Sequence, residues 1–541
     1  METARLPPFL KTMTARQTAY VRAYFVAVVL LGLFIYRDYG VSWDESYDRV
    51  QGLVTAKYIL SSLAPHWTEN RTVFIGVPDF QTYLENDHGA LFHTPFAFIE
   101  VLLGVDSRTF YLIKHVGVFL TFVLGLWSMY AMARIRFSSW KVGLFACTLL
   151  LLSPRIFADA FYNSKDLVFL SVFTFGVYTL VRFLHRPTLA GAVLMGFGTA
   201  LTTDIRILGC VLFALALGML FLEVVFGTTS KAHRLFLGKA AACYCATTIV
   251  FTIIGWPYLW TGPIDNFFMA FENMKRFRFD AEVLYLGQLV PTLHLPWHYA
   301  PVWIVVTTPV AYTISFVVGL FSYGFQLLRN ALATLRTLEG RLDLLFAGWF
   351  FVPLLMVILL HSVIYDGWRH LYFIYPAMIL LATRGIYAVW RASQRQLLLK
   401  RVALVLAMLV GAEVMYTVVR MVKAHPNQQV FFSFLSAPQA EQLFERDYWG
   451  VSYRKGLEWI LAHDTSPLIN VDSPFPILLE NNLGILKPAD RARFKINPAA
   501  KEVYYLTSYR AHPEPYPASV GNEVHAVRTN GIKILSVFYR W

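Results

Sequence analysis

The chain has 541 residues, of which 57% are apolar and 15% are charged. This composition excludes an ordinary soluble domain, and the length is too great for a single hydrophobic core, so the sequence predicts a protein whose solvent is the lipid bilayer. The net charge of +13 does not indicate nucleic-acid binding, because the basic residues occur in short stretches between apolar runs, where cytoplasmic loops of membrane proteins carry them.

Runs of mainly apolar residues recur along the chain. A spanning helix needs about 20 such residues, and this length predicts a polytopic α-helical membrane protein with about eleven transmembrane helices. The basic N-terminus leads into the first run without a small-residue cleavage site, so we expect a retained anchor rather than a signal peptide. The expected spans are residues 20–37, 109–133, 142–158, 167–184, 188–203, 207–226, 237–256, 301–327, 342–361, 371–390 and 402–420.

Basic residues in the connectors predict how the spans are oriented. Connectors such as 134–141 and 384–401 are rich in Lys and Arg, which places them and the N-terminus in the cytoplasm. An odd number of spans then places the C-terminus on the opposite face, together with the outer loops 38–108, 257–300 and 362–370.

Residues 422–541 differ in character from the rest of the chain. They are more polar and rich in Pro and Asn, and they contain short alternating runs such as 502–507 and 532–539, which are typical of strands. We therefore expect a transmembrane domain over residues 1–421 and a small soluble α/β domain over 422–541, outside the cytoplasm.

Acidic residues at the ends of the apolar runs are candidates for chemistry. Asp44 and Glu45 follow the first run directly, and a carboxylate beside apolar surface is a better base toward a hydroxyl group. Lys165 and Asp166 lie in the short connection between the third and fourth spans, where Asp166 would bind an acceptor or a metal and Lys165 a phosphate. The alternatives are a hydrated helix end for the first pair and helix capping for the second.

Two arginines suit the phosphate of a lipid. Arg206 lies between two apolar runs, and charges at bilayer depth usually face protein or a wet cavity, so it either meets a phosphate or pairs with Asp204. Arg369 has a planar fork of donors that matches phosphate oxygens, and His370 beside it adds another donor. The aromatic residues around them also fit an ordinary interfacial belt.

The outer loops add aromatic and polar residues of the kind that contact a sugar. Residues of this kind occur in the last part of the loop 257–300. The alternative to sugar binding is an interfacial helix that these aromatic residues anchor in the membrane. The histidines of the first outer loop lack the spacing of zinc ligands, so no metal site is predicted. The candidate acceptor or sugar ligands are His93, Trp297, His298, Tyr365 and Asp366.

These candidates all emerge on one predicted face of the membrane. The order of these residues along the chain resembles that of the GT-C class of membrane glycosyltransferases. The resemblance is to bacterial relatives of the protein O-mannosyltransferases and of the aminoarabinose transferases that modify lipid A. It covers about residues 20–391, and it departs from some relatives at His93-Thr94-Pro95, where they have His-Pro-Pro. The matching residues are Asp44-Glu45, Asp166, Asp204-Ile205-Arg206, Pro-Trp-His-Tyr-Ala-Pro at 296–301 and Tyr-Asp-Gly-Trp-Arg-His at 365–370.

The resemblance implies an inverting transfer of a hexosyl or pentosyl group from a polyprenyl-phosphate donor to an acceptor hydroxyl on the non-cytoplasmic face. Asp44 would be the catalytic base, with Glu45 beside it, and Asp166 would support the acceptor or the base. The residues implied to hold the donor phosphate are Lys165, Arg206, Arg369 and His370.

The implied partners are the polyprenyl-phosphate-linked sugar, membrane lipids, and an acceptor that is a lipid, a lipid-linked glycan or a protein. The implied location is a bacterial inner membrane, with the C-terminal domain in the periplasm or outside the cell. We expect no obligatory cofactor, and a divalent metal stays open because metal dependence varies within the class. Two other functions stay open as well: a transporter or flippase of a lipid-linked saccharide, and a scaffold whose outer charges serve a partner.

Overall fold

The computed structural model describes most of the chain, namely residues 13–68, 71–227, 230–275, 281–394 and 396–541. Part of the loop expected at 257–300 therefore lies outside the described residues. Within them, nine helices are long and apolar enough to cross a bilayer, which confirms the predicted polytopic α-helical fold. These helices are Ala15–Asp38, Ser107–Phe137, Asp166–His185, Ile207–Phe226, Lys231–Gly255, Val310–Arg336, Leu338–Leu359, Arg369–Ser393 and Leu397–Ala424.

Three of the predicted spans differ in the structure. The run 301–327 begins as the separate short helix Tyr299–Thr307, and its spanning helix starts only at Val310. The run 142–158 breaks at Ser153 into two helices bent by 72°, and the second of them is Pro154–Tyr162. A proline disfavours helical backbone at the preceding residue, and Ser153 is extended, with φ −89° and ψ 107°. The run 188–203 forms the shorter helix Leu189–Ile205. The described residues thus contain nine spans, or ten if the bent pair counts as one, where we expected about eleven.

The helix Pro154–Tyr162, which we call the buried helix, lies inside the protein with all of its residues buried. Its Arg155 donates to the carbonyl oxygen of Phe431 at 3.0 Å, and its Asp159 accepts from Trp449 Nε1 at 3.2 Å. The connection that we expected at the outer surface between the third and fourth spans therefore reaches into the interior and contacts the C-terminal part of the chain.

The loop 38–108, which we expected on the outer face, contains the helix Trp43–Leu63, which we call the Asp44 helix. Ser42 and Glu45 form a capping box at its start, an arrangement that satisfies free N–H groups at helix N-termini. A Cβ at Gly52 would lie 2.9 Å from the carbonyl oxygen of His93, so the absence of a side chain allows the close approach of the next helix. The other helices before residue 425 are His93–Leu103, Trp140–Leu151, Pro263–Lys275 and Tyr299–Thr307.

The C-terminal part combines short helices with a mixed sheet. The strands are β1 (Glu282–Tyr285), β2 (Gln288–Pro291), β3 (Ile469–Asp472), β4 (Phe494–Ile496), β5 (Val503–Ser508), β6 (Asn522–Thr529) and β7 (Ile532–Arg540), and the helices of the C-terminal part are Ala437–Leu443, Tyr453–His463, Pro476–Gly484 and Pro488–Arg491. Strand β3 pairs in parallel with β4 and β5, and β7 pairs antiparallel with β5 and β6, which gives the order β4-β3-β5-β7-β6. Strands β1 and β2 form a separate hairpin in the loop 257–300.

A buried ion triad ties the spanning helices together away from the outer loops. Asp343 accepts from Arg136 through both carboxylate oxygens, each at 2.6 Å, and from Arg384 Nε at 2.6 Å. Arg384 also donates to the carbonyl oxygen of Gly319 at 2.9 Å and to Gln326 Oε1 at 3.0 Å. A buried charge is costly unless it is paired and hydrogen-bonded, and these bonds meet that requirement for all three side chains.

Candidate active site

Arg369 is the centre of a charged cluster at one end of the spanning helices. Its Nη1 lies 2.8 Å from Asp44 Oδ2 and 3.0 Å from Asp166 Oδ2, and its Nη2 lies 3.3 Å from Asp366 Oδ2. The four residues come from three separate parts of the chain, and Arg369 itself is buried. The structure therefore brings the two predicted acidic sites and the predicted arginine into direct contact.

The positions of these residues follow from where the helices begin. Asp44 lies in the first turn of the Asp44 helix, and Asp166 is the first residue of the helix Asp166–His185. Free N–H groups at a helix N-terminus favour a carboxylate there. Because the two helices begin on the same side of the protein as Arg369, their acidic residues meet one guanidinium group.

Arg206 belongs to the same cluster, and its Nη2 lies 2.6 Å from Asp166 Oδ1. The alternative that Arg206 pairs with Asp204 is not what the structure shows. The helix ends at Ile205 and the backbone of Arg206 is extended, with φ −146° and ψ 132°, which turns its side chain toward Asp166. Asp204 is buried elsewhere, against Gly255, where any Cβ would collide with its carboxylate.

A second network surrounds Asp48, one helical turn after Asp44. Asp48 is fully buried, and its oxygens lie 3.2 Å from Lys165 Nζ and 3.6 Å from Lys114 Nζ. His93 Nε2 lies 3.7 Å away, and the hydroxyl of Ser164 donates to the same carboxylate. We did not predict Asp48 or Lys114 from the sequence, although residues four apart on a helix share a face and Asp48 follows Asp44 at that spacing.

The charges in this network follow from burial and from the neighbouring groups. Burial alone would raise the pKa of Asp48, but His93, Lys165 and Lys114 lower it well below its usual range. Burial alone would lower the pKa of Lys165, but Asp48 and Asp44 raise it above its usual value. Burial lowers the pKa of His93 to about 3 despite Asp48. At neutral pH Asp48 and Lys165 are therefore charged and His93 is neutral.

Exposure separates the residues that a substrate can reach from those that hold them. The side chains of Asp44, Arg206 and Lys165 are 23%, 21% and 20% exposed, whereas those of Asp166 and Asp48 are 1% and 0% exposed. The buried carboxylates of Asp166 and Asp48 thus hold two partly exposed cations beside one partly exposed carboxylate. A proton acceptor next to two cations can serve a reaction in which a phosphate leaves.

Glu45 is adjacent to Asp44 in sequence but has a different environment. Its side chain is fully buried, its Oε2 accepts from the backbone N–H of Ser42 at 2.8 Å, and its Oε1 lies 3.2 Å from His115 Nε2. The bond to Ser42 is that of a helix cap, and the contact with His115 joins the Asp44 helix to the helix Ser107–Phe137. The predicted catalytic role of Glu45 stays a prediction, and the structure shows no surface of this residue that a substrate would touch. The same holds for His93, which is buried behind Asp48.

The remaining predicted ligands fall into two groups. The Arg369 Cζ lies 4.8 Å from the centre of the Tyr365 ring. The His370 ring packs edge-on against the same tyrosine ring, with 4.7 Å between the ring centres. Trp297 is exposed and lines a separate cavity of about 270 Å³, and His298 Nδ1 lies 2.6 Å from the hydroxyl of Tyr285. The structure thus joins Tyr365 and His370 to Arg369, and it places Trp297 and His298 in a neighbouring loop.

The C-terminal part of the chain contributes to the cluster. Arg510 Nη2 lies 2.5 Å from Asp366 Oδ1, and the Trp449 ring lies 4.7 Å from the Cζ of Arg369. Glu445 is also buried beside this site. Burial, followed by the charge of Asp366, raises the pKa of Glu445 well above its usual value. The sequence did not indicate these residues, because nothing in the composition of 422–541 distinguishes them from other polar positions.

The raised pKa of Glu445 predicts a pH-dependent effect on stability. The folded protein keeps this proton at pH values where the unfolded chain has lost it, so stability falls as pH rises above about 4.5, the ordinary glutamate value. We expect Glu445→Gln to raise the apparent unfolding temperature near neutral pH, with a gain that shrinks toward pH 4.5. Thermal unfolding in detergent across this pH range measures it, with Glu480→Gln, an exposed site, as the control. A destabilised Glu445→Gln protein at neutral pH would contradict the prediction.

The comparisons with known proteins gave matches among solved structures. No protein-family model and no curated protein matches the chain. ArnT from Cupriavidus metallidurans in the apo state is 12% identical, with a TM-score of 0.46 and coverage of 97% of this chain and 98% of that chain. ArnT bound to undecaprenyl phosphate is 13% identical, with a TM-score of 0.45 and coverage of 96% and 98%. The oligosaccharyltransferase of Archaeoglobus fulgidus in the apo form is 11% identical, with a TM-score of 0.45 and coverage of 94% and 67%. At this level of similarity we base the function on the geometry of the site.

Proposed function

We propose that the protein is an inverting glycosyltransferase that moves a sugar from a polyprenyl-phosphate donor to an acceptor hydroxyl. The observation that carries the proposal is the partly exposed carboxylate of Asp44 beside the partly exposed cations Arg206 and Lys165. The acceptor oxygen forms a bond to the anomeric carbon while the bond from that carbon to the phosphate oxygen breaks. Asp44 receives the hydroxyl proton, and the polyprenyl phosphate leaves with the electron pair.

Fixed positive charge supports the leaving phosphate. Arg206 and Lys165 are held by Asp166 and Asp48, so they need little reorganisation as negative charge develops on the phosphate. The helix Asp166–His185 begins in the cluster, and the N–H groups at a helix start favour an anion. Arg369 contributes a third cation, which in the described structure is shared among three carboxylates.

The lipid tail has a suitable place next to the cluster. The cavity of about 270 Å³ is lined by the apolar side chains of Trp297, Ile358 and Ile364 together with polar ones that include His361 and Ser362, and Ile364 directly precedes the loop segment that carries Asp366 and Arg369. The first isoprenyl units of the donor in this cavity would keep the phosphate at the membrane surface. In this proposal Trp297 contacts the donor lipid and not the charged cluster.

We place this reaction on the non-cytoplasmic face of a bacterial inner membrane, since the basic connectors assign the other face to the cytoplasm. The sugar is a hexose or pentose derivative, and the acceptor is a lipid, a lipid-linked glycan or a protein. The proposal includes no obligatory cofactor, because Asp44, Asp166, Asp366 and Asp48 each already have a cationic partner.

The proposal is tested with the purified full chain in vesicles that contain defined polyprenyl-phosphate sugars and candidate acceptors. Release of free polyprenyl phosphate that depends on an acceptor is the expected result. The same vesicles, with a label on the lipid head group, measure movement of the donor across the bilayer. Movement of intact donor without release of polyprenyl phosphate would overturn the proposal in favour of the transporter or flippase, and neither activity would favour the scaffold.

A further inference from the structure

Arg510 links the C-terminal part of the chain to the active-site cluster. It follows β5 in sequence, and its Nη2 lies 2.5 Å from Asp366 Oδ1 across 144 positions of the chain. Its Cζ lies 5.7 Å from the centre of the Trp43 ring, and Trp43 directly precedes Asp44. One arginine of the C-terminal part therefore contacts both segments that frame the partly exposed carboxylate of Asp44.

Asp366 stands between two arginines. One carboxylate oxygen meets Arg510 and the other lies 3.3 Å from Arg369 Nη2. The backbone of Asp366 is left-handed, with φ 55°, and the next residue, Gly367, has φ 71° and donates its N–H to the hydroxyl of Tyr299 at 3.2 Å. The loop geometry thus holds the carboxylate in a position where it divides its charge between the two guanidinium groups.

We propose that Arg510 is a positioning residue of the active site, which acts by taking up the charge of Asp366 and so leaves Arg369 directed at Asp44 and Asp166. This inference rests on the proposed function. Without Arg510, Arg369 would be the one remaining ion-pair partner of Asp366 among the described residues, and Asp366 would compete with Asp44 for it. The C-terminal part is then a component of the active site, and its presence is needed for the transfer step.

A second substitution, at Asp366, should compensate in part for the loss of Arg510. We expect Arg510→Ala to lower kcat for transfer by about 10- to 100-fold, the size of effect that a small displacement of a catalytic group produces, with the KM for the acceptor unchanged. Removing the competing charge as well, in Arg510→Ala/Asp366→Asn, should recover part of that loss, and Asn tolerates the left-handed backbone at position 366. Arg510→Lys should keep most of the activity. Arg528→Ala, at an exposed position in β6, is the control and should equal the wild type.

The outcomes distinguish this inference from the proposed function. Two results would overturn the positioning role: an Arg510→Ala protein as active as the wild type, or a double variant no more active than Arg510→Ala. In either case transfer by the wild type would leave the proposed function intact. If the wild type transfers no sugar from any donor, the proposed function is wrong. Binding of undecaprenyl phosphate to the same proteins then tests whether Arg510 acts on Arg369 through Asp366. Weaker binding by Arg510→Ala that is restored in the double variant supports this role of Arg510, and any other pattern overturns it.

Discussion

Asp44→Asn is expected to lower the rate of sugar transfer by about 10²- to 10⁴-fold, the usual contribution of a positioned general base. The amide keeps an oxygen that can accept from Arg369, so the cluster loses the base and keeps its shape. Arg206 and Lys165 remain in place through Asp166 and Asp48, and binding of the lipid phosphate should be nearly unchanged. This separation of chemistry from binding is the signature of a catalytic base.

The measurement is a single-turnover transfer assay on the wild type and on Asp44→Asn, with lipid-phosphate binding determined on the same preparations. Asp79→Asn is the matched control, since Asp79 is an exposed carboxylate in the same outer loop whose partner is Lys57. Equal single-turnover rates in the wild type and in Asp44→Asn would remove Asp44 from the mechanism.

Arg369→Ala is expected to have an even broader effect, because it removes the cation shared by Asp44, Asp166 and Asp366. Transfer should fall by at least about 10²- to 10³-fold, as when one preorganised donor is removed from a site of developing negative charge. Breaking a buried ion pair commonly costs about 3–5 kcal/mol of stability, so the apparent unfolding temperature should fall as well.

A conservative replacement at this position makes the prediction specific. Lysine lacks the planar fork by which Arg369 reaches Asp44 and Asp366 through different nitrogens. Compared with Arg369→Ala, the Arg369→Lys protein should therefore regain part of the stability but little of the transfer activity. Arg182→Ala, in a spanning helix but outside the cluster, is the control for the loss of an arginine. Full activity of the Lys variant would mean that a simple positive charge suffices and that the fork geometry does not matter.

The site residues that could be predicted from the sequence are those that carry a charge in apolar surroundings. Asp44, Asp166, Arg206 and Arg369 lie beside apolar runs, where an ionised group is costly and is kept only with a partner or in a wet cavity. The structure places all four in one cluster. Their spacing along the chain carried no information on which acid meets which arginine, and so the pairing of Arg206 with Asp166 rather than with Asp204 became visible only in the fold.

Other parts of the site depend on contacts between distant segments. Arg510 and Asp366 are 144 positions apart, and Trp449 and Asp159 are 290 positions apart, so no local pattern relates them. An arginine or a tryptophan in a polar C-terminal part has many ordinary uses. The bend at Ser153 is a similar case, since the apolar run around it is long enough for a straight span and only Pro154 signals the break.

The most direct test of phosphate binding beside Asp44 is an electron cryo-microscopy structure of the full chain with undecaprenyl phosphate. We predict density for the phosphate within hydrogen-bond distance of Arg206 and Lys165, with Asp44 facing it and the lipid tail in the cavity that Trp297 lines. Phosphate density away from this cluster, for example at the Arg136–Asp343–Arg384 triad, would contradict the proposed site and with it the role of Asp44 as the base.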